Sequence, residues 1–124
     1  MSDNTRIAII EDDPTISQMY RTKFESEGFD VQVATDGRNG VNLVKNFMPE
    51  IILLDLRMPE MNGEEVLAEI RKNDHSKDTP VIILTNTGKE EAPANLGTLN
   101  IVDYIVKAEF TPSQVVEVVK RAIS

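Results

Sequence analysis

Short apolar runs recur at residues 7–10, 31–34, 51–54, 81–84 and 102–106. The runs at 7–10, 51–54 and 81–84 are continuous rather than alternating, the pattern of a parallel strand covered on both faces. Val31-Gln32-Val33 alternates and reads as an edge strand. Between the runs the apolar spacing turns helical. Asp13-Pro14 offers an N-cap with proline at the first helical position, and Gly28 stands where that helix should stop. Val41, Leu43, Val44 and Phe47 mark a second helix ending before Pro49, and Val66, Leu67 and Ile70 a third starting near Gly63. A last helix runs from Thr111-Pro112 through Val115, Val116, Val118, Val119 and Ala122. In segment 89–100 Pro93 and Gly97 each penalise a helix interior, so a short or irregular helix is expected there. Strand alternating with helix predicts an α/β fold with a mainly parallel sheet and right-handed crossovers.

Composition narrows the setting. The 124 residues fit one domain, taken as residues 1–124, with a single compact core. The absence of cysteine excludes disulfides, a thiolate nucleophile and Cys-ligated zinc, and suits a reducing compartment, so the cytoplasm is the expected location. The polar start MSDNTR leads into an apolar run too short for a signal peptide or a membrane span, and no membrane partner is expected. Thirteen basic against 21 acidic side chains give a net charge of −8, which opposes direct nucleic-acid binding through phosphate neutralisation.

In an open parallel α/β sheet, ligands bind outside the carboxyl ends of the strands. The first run ends in Glu11-Asp12-Asp13, the third in Asp55, the fourth in Thr85 and the fifth in Lys107, so four pieces of chain deliver polar groups to one rim. Carboxylates crowded there repel one another and raise their pKa values unless a cation sits among them. Oxygen-only ligands favour magnesium, or a similar ion such as Mn2+, over zinc. A lysine and a threonine hydroxyl supply the charge and donor that a transferred phosphoryl group needs, and an aspartate can itself be the nucleophile. These residues point to acyl phosphate formation on an aspartate with Mg2+.

IIEDDP, LLDLRMPEMNG, IILTN and DYIVK, in that order, resemble the receiver domain of two-component response regulators across essentially the whole chain. Thr85 follows Asp55 by 30 residues and Lys107 follows Thr85 by 22, which is family-like spacing. The resemblance implies a doubly wound, flavodoxin-like five-stranded parallel sheet in the order 2-1-3-4-5, with helices on both faces. It implies Asp55 as phosphoacceptor, and Glu11, Asp12, Asp55 and the Arg57 backbone carbonyl as the metal site. Thr85 and Lys107 would bind the phosphoryl oxygens, and Thr85 with Tyr104 would form the switch. The implied partners are a histidine kinase or phosphotransfer protein, and a downstream protein or fused output domain. Such a domain promotes only its own phosphorylation and dephosphorylation and is not an enzyme acting on an external metabolite.

The chain departs from the family pattern in three places. Ala108 follows Lys107 where proline in a cis peptide is common, so a trans bond is expected. Asn86 follows Thr85 where a small residue is usual, and Asn100-Ile101 replaces Gly-Ala before Tyr104. Taken alone, Asp55 serves equally as a turn cap, and Asp13 reads as a helix cap rather than a ligand. The Arg57 side chain either pairs with an acid of the pocket or lies in solvent, the commoner place for an arginine in a loop. Two other functions fit parts of the pattern: a receiver-fold interaction module that takes no phosphate, and an aspartyl-phosphate phosphatase. The second lacks its usual aspartate two residues after the nucleophile, where Arg57 stands.

Overall fold

A computed structural model describes residues 4–88, 92, 96 and 99–123. In chain order they form β1 (Arg6–Ile10), α1 (Pro14–Ser26), β2 (Asp30–Ala34), α2 (Gly37–Phe47), β3 (Ile51–Leu54), α3 (Gly63–Lys72), β4 (Val81–Thr85), β5 (Asp103–Val106), a 3-10 turn (Lys107–Glu109) and α4 (Pro112–Ile123). The five strands make one parallel sheet in the order β2-β1-β3-β4-β5, with the alternating strand β2 at one edge, as the pattern predicts. Pro93 and Gly97, on which the expectation of an irregular helix rests, lie outside the described residues.

The continuous apolar runs are explained by a two-sided core. Consecutive strand residues point to opposite faces, so Ala8, Ile10, Ile52, Leu54, Val81 and Ile83 pack with α2 and α3 through Val44, Val66, Leu67 and Ile70. Ile7, Ile9, Ile51, Leu53, Ile82 and Leu84 pack on the other face with Tyr20 and Phe24 of α1 and Val115, Val116 and Val119 of α4. Both faces are dry, which fixes the strands and makes their carboxyl ends a rigid rim.

Helix ends follow local chemistry. The Asp13 side chain accepts from the backbone N–H groups of Thr15 and Ile16 and caps α1, with Pro14 entering the first turn, as expected. Gly28 takes φ 96° just beyond α1, the left-handed conformation glycine adopts without steric cost. Asn62 and Glu65 form a reciprocal capping box at the start of α3. Asn100, at the position expected to be glycine, has φ 62°, and asparagine is among the few other residues that tolerate this region. The Lys107–Ala108 bond is trans.

Candidate functional site

The loops leaving β1, β3, β4 and β5 close around a pocket of about 230 Å³ whose walls include Glu11, Asp12, Asp55, Thr85 and Lys107. One carboxylate oxygen from each of Glu11, Asp12 and Asp55 lies within 4.8 Å of the others. Glu11 and Asp55 are buried because β1 and β3 are neighbours at the sheet centre, and Asp12 is half-buried at the rim. Asp55 is held from both sides: its backbone N–H donates to the Ile10 carbonyl at 3.0 Å, and its Oδ1 accepts from the Arg57 N–H at 3.2 Å. Asp13 also lines the pocket, but its side chain serves the α1 cap.

Lys107 reaches in from the end of β5. Its Nζ pairs with Glu11 Oε1 and stands 3.6 Å from Asp55 Oδ2. Burial pushes the Glu11 carboxyl up to about 7, against the pull of the Lys107 charge and the Asp13 N–H, and the Asp55 charge adds to the rise. The rise expected from crowded acids therefore has a different leading cause at Glu11, removal from water before mutual repulsion. Thr85 is fully buried, and its Oγ1 accepts from the Thr87 N–H at 3.4 Å. Asn86 is exposed at the mouth of the pocket.

Arg57 is exposed, as expected, yet its side chain is anchored: its Nε donates to Thr87 Oγ1 at 3.1 Å, tying the β3 loop to the β4 loop, because the two loops leave adjacent parallel strands in the same direction. Tyr104 is buried, and its hydroxyl donates to the Thr87 carbonyl at 2.8 Å. Thr87 thus meets both Arg57 and Tyr104, a role that sequence reasoning missed; its one signal was a second threonine two residues beyond Thr85. Tyr20, whose hydroxyl is pushed to a higher pKa by burial and then by the Glu11 charge, was missed as well. Its signal was a polar-tipped aromatic four residues before Phe24 on the buried stripe of α1.

The donor set fits a hard divalent cation. Three carboxylates offer oxygen ligands within one small radius, and no histidine lines the pocket. Glu11, Asp12 and Asp55 are the side chains that would hold Mg2+, which when bound neutralises the acidic cluster and polarises a phosphoryl oxygen.

A sheet in the order 2-1-3-4-5 with an acidic pocket, a hydroxyl and a lysine at its carboxyl rim defines a flavodoxin-like receiver fold. The model of the response regulator receiver domain matches residues 7–120, and the chain belongs to this family, the receiver domains of two-component systems. The chain is 33% identical over 118 residues to the regulatory protein AtoC of Escherichia coli, covering 95% of this chain and 25% of AtoC. It is 40% identical over 84 residues to the DNA-binding dual master transcriptional regulator RpaA of Synechocystis sp., covering 68% of this chain and 35% of RpaA. The chain thus spans about a quarter to a third of the length of these relatives. Among solved structures, it superposes with a TM-score of 0.87 on the receiver domain of the sensor histidine kinase PA1611 of Pseudomonas aeruginosa, which has a magnesium ion coordinated in its active site cleft. That match has 25% identity and covers 97% of this chain and 98% of the other.

Proposed function

We propose that residues 1–124 act as one phosphorelay receiver domain, with Asp55 as phosphoacceptor. The observation that carries this reading is the convergence of Asp55, the Glu11-Asp12 pair, Thr85 and Lys107 from four strand ends into one pocket. An Asp55 carboxylate oxygen attacks the phosphorus of a phosphohistidine on a histidine kinase or phosphotransfer protein. The P–O bond forms as the P–N bond breaks, and the imidazole keeps the departing electron pair. The Arg57 N–H on Oδ1 orients the carboxylate, and Lys107, already 3.6 Å from Oδ2, neutralises the arriving phosphoryl charge. The Thr85 hydroxyl then donates to a phosphoryl oxygen. Glu11, Asp12, Asp55 and the Arg57 carbonyl are the proposed ligands of Mg2+ or Mn2+.

Moving Thr85 toward the phosphoryl group draws on the loop that holds Tyr104 through Thr87, so the two residues form the switch read by a downstream protein or a fused output domain. The Arg57-for-aspartate difference argues against phosphatase turnover of external substrates. No helix among the described residues is long and apolar enough to cross a membrane, and the cytoplasm is the proposed location. The net charge of −8 opposes direct DNA contact by this domain, so any nucleic-acid binding by a longer protein falls to another module.

The test is incubation with acetyl phosphate and Mg2+. The native protein should gain one phosphoryl group by mass spectrometry and show a Tyr104 fluorescence change, and Asp55→Asn should show neither. An unmodified native protein would favour the phosphate-independent interaction module. Steady release of phosphate from an ester, abolished by Asp55→Asn, would favour the phosphatase.

A further inference from the structure

Tyr20 has no part in the phosphoryl chemistry just described, yet it forms part of the floor of the same site. It lies on the inner face of α1 at 3% exposure and lines a narrow crevice with Glu11, Asp55 and aliphatic side chains of β1, β3 and β4. Its hydroxyl makes no hydrogen bond among the described residues. A buried hydroxyl without an acceptor is costly. The crevice has no room for a water molecule to bridge it. The side-chain acceptors on its walls are the two carboxylates.

The partners of those carboxylates decide between them. Asp55 Oδ1 is engaged by the Arg57 N–H, and Asp55 is the atom donor for the new bond to phosphorus. Glu11 Oε2 accepts from the Asp13 N–H at 3.1 Å, while Oε1 depends on Lys107. When Lys107 turns to a phosphoryl group, Glu11 loses its charged donor inside a buried pocket. We propose that Tyr20 is a positioning residue whose hydroxyl then donates to Glu11, holding that carboxylate in place for the metal in the phosphorylated state. The inference rests on the reading of Asp55 as phosphoacceptor.

The test uses the full chain and beryllofluoride as the phosphoryl mimic, with Mg2+ titrated by calorimetry in its presence and absence. Tyr20→Phe keeps the ring and removes the hydroxyl. The Mg2+ concentration that half-saturates the beryllofluoride complex should rise about tenfold, the size expected for a hydrogen bond to a charged group. Mg2+ binding to the free protein should change less than about twofold, because Lys107 still serves Glu11 there. A general packing defect would weaken both states alike and overturn the inference. In a Glu11→Gln background, Tyr20→Phe should cost nothing further. In the native protein, the ring-carbon NMR resonance beside the Tyr20 hydroxyl should shift on adding beryllofluoride, which tests the idea even if the variant folds poorly. Equal behaviour of Tyr20→Phe and native protein, with no ring shift, overturns the inference and leaves the receiver reading standing. A native protein that forms no beryllofluoride complex overturns both.

Discussion

The Arg57 guanidinium donates to the Thr87 hydroxyl across 3.1 Å, joining the loop that carries the proposed phosphoacceptor to the loop that receives the Tyr104 hydroxyl. The connection is continuous at each end: the Arg57 backbone N–H holds Asp55 Oδ1, and the Thr87 backbone N–H meets Thr85 Oγ1. Two adjacent parallel strands thus place the phosphoryl chemistry and the aromatic reporter on one short path.

This path is testable by a double-mutant cycle. Arg57→Ala and Thr87→Val each remove the bond, and their combined effect on urea stability should fall short of the sum by about 0.5–1.5 kcal/mol, the net worth of such a bond. Each single variant should also loosen the β4 loop and make Tyr104 fluorescence more accessible to a soluble quencher. Strict additivity with unchanged quenching would show that the two loops are not coupled through this contact.

Glu11 predicts a pH dependence for the metal-free protein. Its folded-state pKa, about 7, lies above the ordinary 4.5, so the folded state holds this proton more tightly than the unfolded chain. The resulting stabilisation is fully present below pH 4.5 and is lost as pH rises through about 7. In that window the metal-free protein should lose stability with pH by at most ~1.4 kcal/mol per unit from this group. Saturating Mg2+, which requires the carboxylate, should reverse the trend, and Glu11→Gln should flatten the metal-free profile. Thermal melts from pH 5 to about 8, with and without Mg2+, decide the matter.

In the last turn of α3, Arg71 donates to four backbone carbonyls, those of Ser76, Thr79, Leu99 and Asn100. It therefore ties the loop before β4 to the residues leading into β5, and so to the strand that carries Tyr104 and ends just before Lys107. Arg71→Ala removes a donor from all four carbonyls, of which that of Ser76 still accepts from the Thr79 N–H, and should cost about 2–4 kcal/mol in chemical denaturation. Arg71→Lys should recover little of the loss, because an ammonium lacks the planar fork that serves several acceptors at once. A lysine variant as stable as the native protein would show that charge alone suffices.

Much of this organisation was legible in the sequence, for physical reasons that differ between elements. The strands were readable because both faces of the sheet are covered, so residues 51–54 had to be apolar without alternation. The start of α1 was readable because a cap is local chemistry, Asp13-Pro14, and the start of α3 near Gly63 was readable from the apolar spacing of Val66, Leu67 and Ile70. The pocket was readable because a parallel sheet sends its strand ends to one rim, bringing Asp55 and Lys107 together across 52 positions of sequence. What escaped were contacts set by side-chain direction. Neither the Arg57–Thr87 bond nor the place of Tyr20 beneath Glu11 follows from spacing, since each depends on how two loops or a helix lean over the sheet.

Gly63 offers the most direct test of how closely the backbone fixes Asp55. A Cβ added there would collide with the Asp55 carbonyl oxygen and stand 2.7 Å from the Leu56 Cα, and both obstacles are backbone. Its N–H also donates to the Leu56 carbonyl at 3.0 Å, so α3 begins pressed against the exit of β3. Gly63→Ala cannot be accommodated by turning a flexible side chain; either α3 withdraws or the chain at Asp55 moves. The expected result is a loss of about 2–3 kcal/mol, the scale of overpacking in a tight interior. Because the displaced backbone belongs to Asp55, Mg2+ affinity and the rate of labelling by acetyl phosphate should fall by at least about tenfold even where the variant remains folded, consistent with the sensitivity of reaction geometry to small displacements. A folded Gly63→Ala protein with native labelling kinetics would show that the rim gives way at α3 and spares the acidic pocket.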